Sequence, residues 1–168
     1  MSQMSEQPFA LRPAMPRDAA EIAVIWHDGW RDGHLGNVPE ELVAARSERS
    51  FRSRAAQRIG GTVVAAVGAA VAGFIMVAGD EVEQVYVSRA HRGTGVASAL
   101  LAEAERLIWA EGHDRAWLAV VPGNVRARRF YVRHGWTDDG PIYYPAASEA
   151  GSILIPARRY TKQLLAGH

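Results

Sequence analysis

Apolar positions follow changing spacings along this chain, and each change marks an element. Phe9-Ala10-Leu11-Arg12 predicts a short first strand. Pro16-Arg17-Asp18 then opens a helix, with Asp18 in an acidic first turn. Ala19, Ile22, Ala23, Ile25 and Trp26 recur at helical spacing behind it. The Gly29–Pro39 segment carries Gly29, Gly33, Gly36 and Pro39, so a loop or a broken helix is expected there. Pro39-Glu40-Glu41 starts a second helix, with proline in the first turn and acids behind it, expected to run to about Arg54. Three β-branched runs follow at Thr62–Val67, Val71–Val77 and Val82–Val87. Their short connections, including Gly79-Asp80, predict an antiparallel arrangement.

The pattern then becomes helical again. Ala97, Leu100, Leu101, Ala104 and Ile108 fall on one face of a helix from Gly95 to Glu111, and Gly112 is placed to cap it. Arg115–Val121 alternates as a strand. A strand–helix–strand crossover makes it parallel to Val82–Val87. A helix over Asn124–His134 stops at Gly135, and Trp136 begins another strand. Pro141–Ser152 reads as a loop rich in Pro, Ala and Ser, with a last strand at about Ala157–Leu164. No repeat, linker or second core is apparent. The chain is therefore expected to be one α/β (α+β) domain over residues 1–168, with Met1–Pro8 a flexible N-terminus.

Composition narrows what such a domain can do. Val63 to Ala78 is nearly all apolar or glycine, but it is short for a spanning helix and is interrupted by Gly68 and Gly73. Two buried strands fit it better, so no membrane role is expected. A net charge of +1 gives no reason to expect nucleic acid or an anionic surface as partner. There is no cysteine, which removes disulfides, thiolate metal sites and a thiol nucleophile together. Six histidines lie without ligand spacing, so no metal is expected. Of 19 basic residues only Lys162 is lysine, which together with the many alanines suggests a GC-rich bacterial genome. Met1–Pro8 has no apolar run and does not read as a leader, so a cytoplasmic protein is expected.

The candidate chemistry lies in Val85-Tyr86-Val87-Ser88-Arg89-Ala90-His91-Arg92-Gly93-Thr94-Gly95-Val96-Ala97. A strand enters a glycine-rich turn, and the turn enters a helix. Unpaired N–H groups and partial positive charge at a helix N-terminus suit a phosphate or pyrophosphate. A plain glycine turn is the bland alternative. Gly93-Thr94-Gly95-Val96-Ala97-Ser98 also loosely fits a dinucleotide fingerprint, but that motif follows the first strand of a mainly parallel sheet. Here it follows an antiparallel run.

Arg92-Gly93-Thr94-Gly95-Val96-Ala97 resembles the Gln/Arg-x-x-Gly-x-Gly/Ala motif of the GCN5-related N-acetyltransferase (GNAT) superfamily. A second block, Asn124-Val125-Arg126-Ala127-Arg128-Arg129-Phe130-Tyr131 with Gly135-Trp136, is similar to that family's Asn-x-x-Ala-x-x-Phe-Tyr…Gly-Phe element. The resemblance is specific across 82–136. It implies a mixed central sheet of six or seven strands with about four helices, with strands four and five, here Val82–Val87 and Arg115–Val121, splayed to hold acyl-CoA. It implies acetyl-CoA as co-substrate, with pantetheine on the backbone of Val85, Tyr86 and Val87. The pyrophosphate would then be wrapped by Arg92, Gly93, Thr94, Gly95, Val96 and Ala97.

Asn124 would bond the pantetheine arm, or serve as a helix N-cap, or both. Arg128 or Arg129 could meet a cofactor phosphate, although a solvated arginine face is the ordinary outcome. Tyr131 matches the family's general acid; a core aromatic beside Phe130 is the alternative. Glu83, and after it Glu81, is the candidate base or water-holder on the strand. The first two helices would cover the acceptor, which puts Trp26, Trp30 and His34 near it, with core packing the simpler account of Trp26. The expected reaction is direct acetyl transfer to a primary amine, a small molecule by first choice. A non-catalytic acyl-CoA-binding module on the same fold is the other reading, and a homodimer stays open.

Overall fold

The β-branched runs between Thr62 and Val87 form the antiparallel half of a sheet in the computed structural model, which describes residues 8–148 and 151–165. Apart from Pro8, the expected flexible N-terminus falls outside the described residues. In chain order the elements are β1 (Ala10–Pro13), a 3-10 turn (Pro16–Asp18), α1 (Ala19–His34), α2 (Glu40–Ala45) and α3 (Glu48–Gln57). They continue with β2 (Thr62–Val67), β3 (Ala70–Ala78), β4 (Glu81–Val87), α4 (Val96–Ala110), β5 (Arg115–Val120), α5 (Val125–Arg133), β6 (Thr137–Ser148) and β7 (Gly151–Gln163). The sheet has seven strands in the order β1-β2-β3-β4-β5-β7-β6. Only the β4–β5 pair is parallel. This is the expected mixed sheet, with five α-helices rather than about four. Among the described residues no helix is long and apolar enough to cross a membrane.

β3 is central and its side chains feed two cores. Phe74 and Met76 pack with Ile22, Trp26, Phe51 and Ala55 of α1 and α3. Ala72 and Ile75 pack with Val96, Leu100, Leu101 and Ile108 of α4. Successive residues point to opposite faces, and a bulge that leaves Ala72 unmatched between Ala65↔Gly73 and Ala66↔Val71 resets the alternation, so this run reads as continuously apolar. Asp18 fixes the start of α1. It is buried, accepts two bonds from Arg12 at 2.7 and 2.9 Å and one from the Met15 N–H at 2.7 Å, and these hold its carboxyl below the ordinary carboxylate range.

Three expectations are corrected. The Gly29–Pro39 segment is not a broken helix from its start, because α1 continues to His34. Gly29 and Gly33 serve close approach instead. A Cβ at Gly29 would lie 2.3 Å from Tyr86 Cδ1, and one at Gly33 would lie 2.7 Å from Asn124 Nδ2. The second predicted helix is two, because Ser47 accepts from the Ser50 N–H at 3.1 Å and caps a new start. Arg46 sits in the break and is buried.

The described residues of the stretch Pro141–Ser152, 141–148 and 151–152, are strand rather than loop. They belong to a long hairpin of β6 and β7, paired from Thr137↔Thr161 to Ser148↔Gly151. β6 is an edge strand, where Pro141 and Pro145 need give no N–H to a neighbour. Pro156 of β7 lies beyond the stretch Arg158–Gln163 that pairs with β5, so it too sits where the strand has a free edge.

In an ordinary helix interior Gly→Ala gains about 0.5–1 kcal/mol. Gly29→Ala should do the reverse, because the added methyl meets an aromatic ring, and overpacking costs about 1–3 kcal/mol. Thermal unfolding should show Tm lowered by several degrees. A raised Tm would show that the Tyr86 ring yields freely.

Candidate active site

β4 and β5 run side by side but pair at one position, Glu81↔Trp117. Asp80 clasps that end, its carbonyl accepting from the Trp117 N–H at 3.0 Å and its carboxylate from the Trp117 indole at 3.0 Å. Beyond the clasp the strands separate, and the edge of β4 toward Val87 has no β5 partner. Two cavities open into this gap. A groove of 930 Å³ runs over Val85 and Val87 to the loop before α4. A cavity of 260 Å³ lies between β4, β5, α1 and the β6–β7 hairpin. Val85, Tyr86, Asn124, Ala127 and Tyr131 border both, so the two spaces meet there.

The groove ends at the glycine loop. Gly93 has φ +77° and Gly95 φ +86°, the left-handed region that glycine tolerates. Nothing lies within 4 Å of where a Cβ at either would stand. The first bond into α4 is from the Ala99 N–H to the Gly95 carbonyl, 3.1 Å, so the N–H groups of Val96, Ala97 and Ser98 have no intrahelical acceptor. Arg89, Arg92, Arg126 and Arg133 border the same groove. This combination of free N–H groups, open space and cations fits a pyrophosphate.

Asp32 of α1 orders two of those cations, accepting from Arg89 at 3.0 Å and Arg92 at 2.9 Å, and its carboxyl is held low by them. The Thr94 hydroxyl donates to the His91 carbonyl, and Thr94 does not border the groove; Val96 borders it while its side chain is buried in the core.

At the junction, Asn124 Oδ1 accepts from the Ala127 N–H at 3.2 Å, so Asn124 is the N-cap of α5. It borders both cavities as well. The Tyr131 ring packs near Phe130, Trp136 and Tyr160, with centroids 5.5, 6.2 and 6.0 Å away. Burial pushes its hydroxyl up to about 12, so at neutral pH it is a donor. Tyr86 is raised still further by burial.

In the smaller cavity, Glu81 accepts from the Tyr144 hydroxyl at 2.5 Å. Burial raises the Glu81 carboxyl above the ordinary range, with that hydrogen bond partly opposing. Glu83 stands at a bulge. Met76 pairs with Gln84 and Val77 with Val82, leaving Glu83 unmatched in the ladder. Its carboxylate is ion-paired with Arg58. Trp30 and His34 stack at 4.6 Å and 6°. His34 Nδ1 lies 2.9 Å from the Trp30 carbonyl, to which only an N–H can donate. Burial pulls this imidazole down to about 4, so it is neutral at pH 7.

Besides Thr94, two anticipated site residues are elsewhere. Trp26 does not border either cavity; it is 1% exposed among Phe51, Phe74 and the Arg54 guanidinium. Its helical spacing to Trp30 is real, but the helix turns it onto the sheet. Arg128 does not reach the groove. It donates to the Tyr160 hydroxyl at 3.0 Å, the Pro122 carbonyl at 2.9 Å and Asp138 at 3.4 Å, on the far side of α5 from Arg126 and Arg133.

The structure also brings in residues that the sequence pattern does not single out: Asp32, Arg46, Arg54, Arg58 and Tyr144. Arg46, Arg54 and Arg58 lie among five arginines between positions 46 and 58, where nothing in the spacing separates inward from outward. Tyr144 lies in the stretch read as a loop.

Comparison with known proteins agrees with this geometry. No curated protein matches the sequence. Among solved structures, a GCN5-related N-acetyltransferase from Rhodopseudomonas palustris superposes with TM-score 0.73 at 23% identity, covering 97% of this chain and 100% of that one. YncA of Salmonella typhimurium, solved with its cofactor acetyl-CoA, gives TM-score 0.67 at 18% identity over 95% and 96% of the two chains. The PaiA N-acetyltransferase of Thermoplasma acidophilum, in complex with coenzyme A, gives 0.65 at 15% over 92% and 98%. At these identities the likeness is one of fold. The sequence profile of the Acetyltransferase (GNAT) family matches residues 21–136, which span the glycine loop, the parted strands and Tyr131. With fold, loop and sequence in agreement, the chain belongs to the GNAT family of acetyltransferases, acyl-CoA-dependent transferases.

Proposed function

We propose that this enzyme transfers the acetyl group of acetyl-CoA directly to the primary amine of a small molecule. The observation that carries the reading is the meeting of the two cavities at Tyr131, in the gap where β4 and β5 part. The groove takes the co-substrate, with pantetheine along the open edge of Val85, Tyr86 and Val87 and pyrophosphate on Arg92, Gly93 and the start of α4 from Gly95 to Ala97. Arg126 and Arg133 supply charge where Arg128 does not. The 260 Å³ cavity takes the amine, walled by Trp30 and His34. Such a volume lies below the roughly 300–1,000 Å³ of drug-sized ligand pockets, which supports a small acceptor.

Bound acetyl-CoA supplies an activated thioester, and the chain positions both reactants. Glu81 takes the proton from the acceptor ammonium, directly or through water. The freed amine forms the new C–N bond as the C–S bond breaks. Tyr131 donates its proton to the departing sulfur, and the second proton of the former amine, shed through water as the amide forms, restores the Tyr131 hydroxyl. Glu81 is the better base of the pair because its oxygens meet only a tyrosine hydroxyl, whereas those of Glu83 are engaged by the Arg58 guanidinium. Glu83 then holds Arg58 and shapes the bulge.

Gly95→Leu should leave the fold intact by circular dichroism and abolish acetyl-CoA binding in calorimetry. The side chain would stand in the open space over the N–H groups, in a backbone conformation it resists. Unchanged affinity would remove the loop from the binding site.

Tyr131→Phe should lower kcat by about 10²-fold, within the range for acid catalysis, while acetyl-CoA affinity moves by no more than one neutral hydrogen bond, about 0.5–1.5 kcal/mol. Full turnover with a good acceptor would leave Tyr131 a core aromatic only.

The pH profile tests Glu81. A carboxyl raised above its ordinary range is protonated, and idle as a base, at low pH; the rate should fall as pH drops through that raised value. Glu81→Gln should flatten this acid limb and reduce kcat, with acetyl-CoA affinity kept. An acid limb that survives in Glu81→Gln and vanishes in Glu83→Gln would move the base to Glu83.

A further inference from the structure

The 260 Å³ cavity holds a feature that amine binding does not use. Arg46 and Arg54 both border it, and neither is ion-paired among the described residues. Arg46 is 93% buried, by its 7% exposure, and donates one bond, from Nη1 to the Ala147 carbonyl at 2.5 Å. Its Nε is buried with no partner. Arg54 lays its guanidinium over Trp26 at 4.4 Å, and its Nη1 is likewise buried with no partner. Burial pushes both guanidiniums down, Arg54 to about 10, and the charge of Arg46 adds to the shift of Arg54 and of His34. Two like charges thus face one space.

A cation–π contact and one carbonyl hold these side chains in place, but they leave N–H donors and positive charge without compensation. Buried charge is kept where something pairs with it. Guanidinium forks match carboxylates best. The chain's own carboxylates in this cavity are engaged elsewhere, Glu83 by Arg58 and Glu81 by Tyr144.

We infer that the acceptor is a small amino acid, its carboxylate seated on Arg46 and Arg54 and its amine turned toward Glu81 and the junction with the co-substrate groove. This rests on reading the 260 Å³ cavity as the acceptor pocket. It makes Arg46 and Arg54 specificity-determining residues. Arg46 sits at the break between α2 and α3, and it borders the cavity from there.

The test is thiol release from acetyl-CoA with the standard L-amino acids and γ-aminobutyrate, each set against its carboxamide, with spermidine and tyramine as amines that carry no acid. The best acid should exceed its amide by about tenfold to a hundredfold in kcat/KM, the size of a lost charge-assisted bond. Arg54→Gln should bring that ratio to within a few-fold of one. Arg46→Lys, which keeps the charge but not the fork, should reduce it partway, and the ratio in the unaltered enzyme stands even if a variant fails to fold. Amides as good as acids, or spermidine or tyramine as the best acceptor, would overturn the inference and leave acetyl transfer standing. No thiol release with any amine, while acetyl-CoA still binds, would overturn the acetyl-transfer reading and this inference with it.

Discussion

The site depends on a parallel strand pair that is fastened at one end and open at the other. Asp80 and Trp117 hold β4 and β5 together at Glu81, and among the described residues no further ladder pair joins the two strands. An open sheet edge in a protein interior leaves backbone groups that must find partners. Here the gap faces cavities rather than packed side chains, and it faces them from both sides. The groove over α4 and the pocket under α1 would be separate surfaces of an intact sheet. Parting the strands makes them one site, with Tyr131 at the passage.

Charge is arranged around that passage by segregation. On the groove side, cations gather at the start of α4, where the helix itself is partially positive, and Asp32 fixes two of them from α1. On the pocket side, two carboxylates on β4 share a space with two buried guanidiniums from the α2–α3 segment. Burial raises Tyr131 and Tyr86, which stay in their neutral, donating form, and keeps His34 uncharged. Close packing supports this. Gly29 lets the Tyr86 ring lie against α1, and Gly33 lets Asn124 do the same, which ties the wall of the smaller cavity to the cap of α5.

Legibility in the sequence followed the range of each cause. The strands of the antiparallel half and α4 are set by local alternation and helical spacing, and they stand within a residue or two of expectation. The glycine loop was legible because positive φ and free helix N–H groups are local requirements. The hairpin of β6 and β7 was not, since prolines and small residues mark a loop until the strand is known to be an edge. The glycines of α1 misled for the same reason: their cause is Tyr86 and Asn124, far away in sequence.

By itself the sequence determined the class of chemistry, because a glycine-rich turn, its flanking strand and helix, and the Asn124–Tyr131 block are contiguous segments whose conformations their own residues dictate. Only the tertiary structure decided which side chains reach the site. It sent Trp26 to the core and Arg128 away from the groove, paired Glu83 with Arg58, set Tyr144 on Glu81, and turned Arg46 and Arg54 inward. Those outcomes rest on which helix face meets the sheet and where two strands part, and both are fixed by packing between segments distant in the chain, which no local spacing encodes.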